Sequence, residues 1–232
     1  MKVDCLASGS SGNCYIVTDG HTRIMLECGL SFSKIMKKSG FSIPKYCLIS
    51  HEHMDHCRAW KDLFLYGVKV CSSRGTTEAL DTSKYINILE PLKQFVIETL
   101  NVMPFNVAHD AAEPFGYVIA SRITGEQLLF ATDTYYLKYR FANISHFLIE
   151  CNFDRETLSP DCDDKHLERV FESHFSLQDL LWFFEANDLT RTREIYLCHL
   201  SDDNLDHEKA KREVEEATGV PVKLCLREGG VI

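Results

Sequence analysis

Short apolar runs separated by turn residues occupy most of the first half of the chain, a pattern typical of strands. Asp19-Gly20 lies between two of these runs and predicts a hairpin turn. The pattern predicts strands at residues 2–6, 14–18, 22–27, 46–50, 69–71, 94–97, 100–106, 115–122 and 126–131. Short helices are predicted between them at residues 33–39, 58–66 and 76–80.

Apolar residues with helical spacing become prominent in the last third of the chain. Leu177, Leu180, Leu181 and Phe184 fall on one face of a helix predicted at residues 176–187. Further helices are predicted at 164–172 and 206–218, with strands at 147–150, 194–197 and 222–226 interleaved between the helices. Strands in both halves with helices between them predict an α/β fold in which two sheets pack together and are covered by helices.

Length and composition favour one large α/β domain that spans residues 1–232. Hydrophobic residues make up 45% of the 232 positions, enough for a sizeable core. No apolar run approaches about 18 residues, so no membrane-spanning helix is predicted, and the first residues lack an apolar segment of secretory type. The ten cysteines are scattered singly, which favours reduced thiols in a cytoplasmic protein.

The formal charge of −9 bears on what the chain binds. Broad nucleic-acid surfaces are usually basic, so this charge counts against one, although bound metal ions would add positive charge at a single point. The local basic groups are Lys34, Lys37, Lys38, Arg191 and Arg193. We interpret these residues as solvated faces rather than as binding sites.

Candidate metal ligands are concentrated in His51-Glu52-His53-Met54-Asp55-His56, where four of them fall within six residues. The motif directly follows the strand predicted at 46–50, so its loop could fold around an ion while it stands on a rigid support. Neutral imidazoles and carboxylates suit zinc and similar divalent ions. The alternative is a polar surface loop, which the low chance frequency of the H-x-H-x-D-H spacing disfavours.

A histidine or an aspartate also follows three later strands. These residues are His109, Asp133 and His199, each within two positions of the end of its apolar run. Taken alone, each is more often an ordinary hydrogen-bonded group, because imidazole pairs readily with the backbone. Together with the first motif they supply five imidazoles and two carboxylates. That set is enough for two metal ions that share a bridging aspartate and a water.

On these residues the chain resembles the metallo-β-lactamase superfamily. The motif at residues 51–56 matches the H-x-H-x-D-H signature of the superfamily, and the later residues match its subsequent ligand motifs in order. The resemblance covers nearly the whole chain and implies a four-layer αβ/βα sandwich with the metals at one sheet edge. It also implies two sets of ligands, with His51, His53 and His109 on one ion, Asp55, His56 and His199 on the other, and Asp133 bridging them.

Several further segments resemble the WalJ/YycJ-type subfamily, which is associated with cleavage of DNA phosphodiesters and with exonuclease activity. The likeness is carried by A-S-G-S-S-G-N at residues 7–13, by the segments at 109–111, 114–117 and 150–152, and by H-L-S-D-D-N at 199–204. One departure is Glu27, which stands where the superfamily commonly has an aspartate that supports the metal-binding loop. The longer side chain puts the geometry around the ligands in question more than the chemistry.

The resemblance implies that a hydroxide bridging two divalent ions attacks the substrate, with Asp55 orienting that hydroxide while it binds metal. The loop with Ser10, Ser11 and Asn13 offers N–H groups, hydroxyls and an amide that could hold a phosphate oxygen. Its alternative is an ordinary glycine-rich turn. His174 precedes a helix, where it could bind phosphate or protonate the leaving oxygen, as non-ligand histidines do in related phosphodiesterases; its alternative is a surface residue.

The leading prediction is a metal-dependent phosphodiester hydrolase, specifically a DNA exonuclease, with two ions of zinc or manganese and with iron as a further option. A small-molecule hydrolase, either a cyclic phosphodiesterase or a thioesterase, would use the same centre, and the acidic charge favours it. A metal-binding scaffold without catalysis is the third alternative. Turnover of bis-p-nitrophenyl phosphate, of thioesters or of no ester at all distinguishes the three.

Overall fold

The computed structural model describes residues 1–82, 84–158 and 170–232, whose strands form a six-stranded and a seven-stranded sheet. The first sheet follows chain order, with β1 (Lys2–Ala7), β2 (Cys14–Thr18), β3 (Arg23–Leu26), β4 (Tyr46–Leu48), β5 (Lys69–Ser72) and β6 (Asn87–Ile88). Its first three strands pair antiparallel, and β3 to β6 pair parallel. The carboxyl ends of β3 and β4 therefore meet at one edge, which brings Glu27 beside the motif at 51–56.

The second sheet has the strand order β13-β12-β11-β10-β9-β8-β7. Its strands are β7 (Phe95–Ile97), β8 (Leu100–Asn106), β9 (Phe115–Ser121), β10 (Gln127–Ala131), β11 (His146–Glu150), β12 (Glu194–Cys198) and β13 (Val222–Leu224). The strands from β7 to β10 pair antiparallel, and those from β10 to β13 pair parallel. Because β8 and β10 run in the same direction, the carboxyl ends of β8, β10, β11 and β12 all lie at one edge.

Three apolar layers hold the sheets and helices together. The helices that lie wholly within the described residues are α1 (Phe32–Lys38), α2 (Met54–Cys57), α3 (Trp60–Leu65), α4 (Arg74–Ala79), α5 (Leu177–Glu185) and α6 (His207–Thr218). Tyr15 and Phe130 belong to the layer between the two sheets. The outer face of the first sheet packs on α1 and α3 through Ile35 and Leu63, and that of the second sheet packs on α5 and α6. This arrangement confirms the predicted four-layer αβ/βα sandwich.

The predicted elements agree with the structure except where apolar patterning is weak. β2 and β8 have the predicted bounds, whereas α2 and the two-residue β6 were not predicted. Three of the four residues of α2 belong to the metal-ligand motif, and the helix shows no apolar periodicity. Most of the helix predicted at 164–172 lies outside the described residues, although residues 170–173 are helical.

The structure also bears on the prediction of reduced cysteines and on that of no membrane-spanning helix. The nine cysteines that the structure describes are all buried and free, while Cys162 lies outside the described residues. Buried, unpaired thiols agree with the expectation of reduced cysteines. Across the described ranges, every helix is too short or too polar to cross a membrane.

Candidate metal centre

Three residues that follow strands at the shared edge have left-handed backbone conformations. The φ angle is 64° at Glu27, 47° at Asp133 and 51° at His199. Positive φ is uncommon for residues other than glycine and costs free energy, so it persists where the surrounding structure requires it. Each of these turns ends a strand sharply, and the three side chains meet the motif at 51–56.

The first ligand group comprises His51, His53 and His109 together with Asp133, and its ligand atoms lie within 4.8 Å of one another. His53 Nδ1 is 3.0 Å from His51 Nε2 and 3.2 Å from His109 Nε2. Imidazole nitrogens at these separations could contribute their lone pairs to one divalent ion.

The second ligand group comprises Asp55, His56 and His199, again with Asp133. His56 Nε2 lies 3.3 Å from Asp55 Oδ2, and His199 Nε2 lies 3.7 Å from the same oxygen. The structure thus brings together all seven side chains that the sequence offered as metal ligands.

Asp133 stands between the two groups. Its Oδ2 atom lies 3.3 Å from His56 Nε2, 3.7 Å from His109 Nε2 and 3.8 Å from His51 Nε2. Burial alone would raise the pKa of this carboxyl, but His199 and His56 outweigh burial and hold the pKa well below its usual range. An ionised carboxylate in this position could bind ions on both sides.

The outer nitrogens of the two groups face different partners. In the first group His51 Nδ1 is 2.8 Å from Ser50 Oγ, and His109 Nδ1 is 3.0 Å from the Ser173 carbonyl oxygen. In the second group the partners are carboxylates, since His56 Nδ1 is 3.5 Å from Glu27 Oε2 and His199 Nδ1 is 3.0 Å from Glu150 Oε1. Carboxylates behind a ligand imidazole raise its basicity and fix its orientation.

The pKa values divide in the same way. Burial lowers the pKa of His51 and of His109. Burial acts in the same direction on His56 and His199, but Asp133 and the neighbouring carboxylates outweigh it, raising the pKa of His56 and bringing that of His199 to about 10.

His199 supplies a direct test of whether the site fits a metal ion. Its buried Nε2 atom has no hydrogen-bond partner among the residues that the structure describes. A buried polar atom without a partner costs free energy, and a cation among the neighbouring donors would bind this lone pair. The donor set, entirely imidazole and carboxylate, fits a divalent ion.

Glu27 carries out the supporting role that the resemblance gave to an aspartate. Its carboxylate is fully buried, and its Oε1 atom accepts a hydrogen bond of 3.0 Å from the Ser50 backbone N–H. Its Oε2 atom faces His56 Nδ1 at 3.5 Å, with no hydrogen bond between the two atoms. The longer side chain therefore links the strand end before the motif to a ligand of the second group.

Glu150 was not predicted from the sequence to take part in the site. It is fully buried at the end of β11, where Oε1 lies 3.0 Å from His199 Nδ1 and 2.6 Å from His174 Nδ1. Its Oε2 atom accepts hydrogen bonds from the backbone N–H groups of Thr134 and Phe175. A carboxylate that ends the apolar run at 147–149 was the available signal, because such a group needs buried partners.

His174 lies at the margin of the second ligand group. Its ring is stacked on that of His199 at a centroid distance of 5.3 Å, and its centroid is 5.9 Å from that of His109. Burial alone would lower the pKa of His174, but Glu150 outweighs it and raises the pKa above its usual value. The imidazole is therefore held toward its protonated form next to the ligands.

The loop at residues 8–13 contacts two of the ligands, His56 and His199. Ser10 and Ser11 are exposed, whereas Asn13 is buried, with its Nδ2 atom 3.2 Å from His56 Nε2. Ser8 Oγ accepts a hydrogen bond of 2.8 Å from the His199 backbone N–H. The loop thus offers hydroxyls to solvent while its buried residues hold ligand-bearing segments in place.

A basic groove lies beside the same loop. It has a volume of about 340 Å³ and is lined by Ser11, Lys34, Lys37, Lys38 and Arg227, together with Glu228. The three lysines are exposed, as predicted, but the fold groups them with Arg227 from the other end of the chain. The net charge of the whole chain is negative, so it gave no indication of this local positive charge next to the candidate site.

No family model matches the chain, but two curated exodeoxyribonucleases are similar to it in sequence. Exodeoxyribonuclease WalJ of Streptococcus pneumoniae is 30% identical over 225 residues, which cover 88% of this chain and 83% of that protein. Exodeoxyribonuclease YycJ of Bacillus anthracis is 28% identical, with 93% of this chain and 88% of that protein covered.

A solved structure gives the same fold at low sequence identity. The metallo-β-lactamase fold protein YhfI from Bacillus subtilis superposes with a TM-score of 0.75 at 16% identity, covering 99% of this chain and 97% of that one. The two sheets and their helices are therefore those of the metallo-β-lactamase fold.

Proposed function

The chain belongs to the WalJ/YycJ family of exodeoxyribonucleases, and on that basis we propose that it is a metal-dependent enzyme that hydrolyses phosphodiesters at DNA ends. The observation that carries the proposal is the convergence of five imidazoles and two carboxylates into two groups that share Asp133. Such a donor set serves metal-assisted hydrolysis, and phosphodiesters are common substrates of paired divalent ions.

We assign one divalent ion to each ligand group. The first would be held by His51, His53 and His109, the second by Asp55, His56 and His199, with Asp133 shared. Imidazole-rich sets suit zinc, while manganese and iron accept the same nitrogen and oxygen donors. When bound, such ions activate water for attack and offset the negative charge of the phosphodiester.

Asp55 is assigned to orienting the attacking water. It is partly exposed, unlike the buried Asp133, so its carboxylate reaches both the second ligand group and the open side of the site. His199 and His56, which face its carboxylate, outweigh burial and hold the pKa of Asp55 below its usual value. The ionised carboxylate accepts a hydrogen bond from water and thereby directs the oxygen lone pair at phosphorus.

His174 is assigned to the leaving oxygen. Its Nδ1 atom is occupied by Glu150, which leaves the Nε2 N–H on the other side of the ring for the substrate. The raised pKa favours the protonated form of the imidazole. In that state it donates a hydrogen bond to the phosphate or a proton to the departing sugar oxygen.

Phosphate contacts are assigned to the exposed hydroxyls of Ser10 and Ser11, with Asn13 holding their loop against His56. The basic groove that begins at Ser11 would hold the phosphates that follow along the strand. Removing a phosphate-binding charge should lower the slope of log affinity against log salt concentration by about one. We expect that change for Lys37→Gln, measured by anisotropy of labelled DNA over a range of salt concentrations.

Digestion of end-labelled linear DNA by the metal-loaded protein tests the proposed function. We expect mononucleotide release from linear DNA, resistance of covalently closed circular DNA, and loss of activity on chelation or on Asp55→Asn. Asp62→Asn, which changes an exposed aspartate on α3, is the matched control and should retain activity. Turnover of a cyclic nucleotide or a thioester with no digestion of DNA would instead establish the small-molecule alternative.

A further inference from the structure

An aromatic surface lies next to the candidate metal centre, on the side of the second sheet. Tyr136 is 59% exposed and Trp182 is 61% exposed, and with Tyr135 they line a cavity of about 260 Å³. We call these three side chains the aromatic platform. Large aromatic groups that are exposed together mark interaction sites, since their burial against a ligand is favourable.

The platform is continuous with the residues assigned to catalysis. Tyr135 follows Asp133 by two positions, so their Cα atoms are at most about 7.6 Å apart. The Tyr135 backbone N–H donates a hydrogen bond of 3.1 Å to the carbonyl of Ala108, the residue before His109. Phe175, which also lines the cavity, directly follows His174. A strand that crosses the metal centre would therefore pass close to this cavity.

The segment that carries the two tyrosines is held in place at both ends. Thr134 Oγ1 accepts a hydrogen bond of 3.1 Å from the Ala108 backbone N–H and donates one of 2.9 Å to the Tyr136 carbonyl oxygen. Further along, the Phe141 N–H donates to Asn187 Oδ1 at 2.7 Å. Tyrosine and tryptophan side chains on a backbone held in this way lose little conformational entropy when a ligand stacks on them, because each has few rotatable bonds.

Charge around the platform distinguishes a nucleic acid from an apolar partner. Lys138 and Arg140 line the cavity, and among the described lining residues they outnumber the single carboxylate, that of Asp179. The Arg155 guanidinium lies 5.7 Å from the ring centroid of Trp182 and forms an ion pair with Asp179, so that carboxylate does not offset Lys138 and Arg140. Aromatic faces combined with cationic groups are the arrangement that binds single-stranded nucleic acid, since bases stack while the cations attract phosphates.

We propose that the aromatic platform is a nucleobase-stacking subsite, which holds unpaired bases of the DNA strand whose backbone passes the metal centre. The inference rests on the proposed nuclease function and specifies its substrate. A platform of this kind stacks any base, because every base has a π face, and it requires that the bases be unpaired. The enzyme should therefore prefer single strands and frayed ends over fully paired ends.

Trp182 can report on this subsite directly. The chain has two tryptophans, and the other, Trp60, is only 7% exposed. In a Trp60→Phe variant the remaining fluorescence comes from Trp182. We expect a phosphorothioate oligothymidylate, which resists hydrolysis, to quench that fluorescence in the metal-loaded protein, and a blunt duplex of equal length to quench it less.

Substitutions on the platform then separate stacking from catalysis. Trp182→Ala and Tyr136→Ala should each weaken oligothymidylate binding by about 5- to 150-fold, while Trp182→Phe should retain most of the affinity. The loss of DNA digestion should exceed any loss of bis-p-nitrophenyl phosphate hydrolysis, because the small ester has no base to stack. Tyr85→Ala is the matched control, since Tyr85 is 49% exposed and packs on Phe64 elsewhere, and it should bind as wild type does.

The outcomes distinguish this inference from the function on which it rests. Wild-type protein that digests DNA, with platform variants that bind and digest equally well, would overturn the stacking subsite and leave the nuclease intact. Wild-type protein that neither binds nor digests DNA would remove both. Platform variants that alter the oligomeric state without altering DNA binding would assign this surface to contact between copies of the chain, which also overturns the proposal.

Discussion

Behind His51 and His109 lie neutral oxygen atoms, whereas behind His56 and His199 lie the buried carboxylates of Glu27 and Glu150. The two ligand groups thus present similar donor atoms in different electrostatic settings. A carboxylate partner makes an imidazole a stronger base and a stronger ligand, and a hydroxyl or carbonyl does so less. Ligand identity alone therefore does not define a metal site, because the hydrogen-bonding partner behind each imidazole changes its basicity.

Substitution of Asp133 should have the largest effect, because both ligand groups share this residue. Asp133→Asn removes a charge that lies within 3.8 Å of imidazoles from both groups. We expect the protein to lose metal from both groups and phosphodiester hydrolysis to fall on the order of 10⁴-fold or more, because activation of water depends on the ions. Elemental analysis with bis-p-nitrophenyl phosphate turnover measures both. Retention of two ions and of activity would contradict the shared position.

The next effect concerns His174, which lies only on the side of the second group. His174→Asn should slow DNA digestion by about 10²- to 10⁴-fold, the usual contribution of a positioned acid. Hydrolysis of bis-p-nitrophenyl phosphate should fall much less, because p-nitrophenolate leaves without a proton. Equal losses on the two substrates would show that His174 binds or positions phosphate instead of protonating the leaving oxygen. Unchanged metal content is the check on folding.

Sequence patterning predicted the metal ligands, but it did not predict the contacts of Glu150 behind them. The ligand motif at 51–56 and the strand ends at His109, Asp133 and His199 are local features, readable because each follows an apolar run. The contacts of Glu150 are different. It meets His174 and His199 across sequence separations of 24 and 49 residues, and nothing local specifies such a pairing.

The same limit applies to the surfaces around the site. Lys34, Lys37 and Lys38 were readable as an exposed basic face, but their grouping with Arg227 depends on how the last residues fold back onto the first sheet. The backbone N–H of Gly230, just past that arginine, donates a hydrogen bond of 2.8 Å to the Cys5 carbonyl oxygen in β1. A pairing between the two ends of the chain leaves no trace in either local pattern.

Selective weakening of one group should follow from removing a carboxylate behind it. Glu27→Gln and Glu150→Gln should each lower the metal affinity of the second group by about 10- to 100-fold and leave the first group loaded at limiting metal. Ser50→Ala, which removes the hydroxyl behind His51, is the matched change in the first group and should have the smaller effect. Competition with a chromogenic chelator measures these affinities. Equal losses in both groups on either Gln substitution would contradict the division.

Glu150→Gln should also shift the pH dependence of activity, and the direction follows from His174. Glu150 raises the pKa of His174, so its loss lowers that pKa and the acid form disappears at lower pH. The alkaline limb of the rate of DNA digestion should therefore move toward lower pH. Glu27→Gln, which does not contact His174, is the control and should leave that limb in place. A limb that does not move in Glu150→Gln would detach it from His174.

The last prediction concerns the number of protons released as metal binds, which tests directly whether the two ligand groups differ in protonation. At pH 7 the lowered pKa values of His51 and His109 leave these imidazoles neutral, so loading the first group displaces few protons. The raised pKa of His56, and that of about 10 for His199, mean that both are protonated and must lose a proton to bind a cation. Calorimetric titration of zinc in two buffers of different ionisation enthalpy should therefore show more protons released with the second ion than with the first. The affinity of the second ion should rise with pH through the neutral range while that of the first stays level; release of equal numbers with both ions would mean that the carboxylates behind His56 and His199 do not separate the two groups.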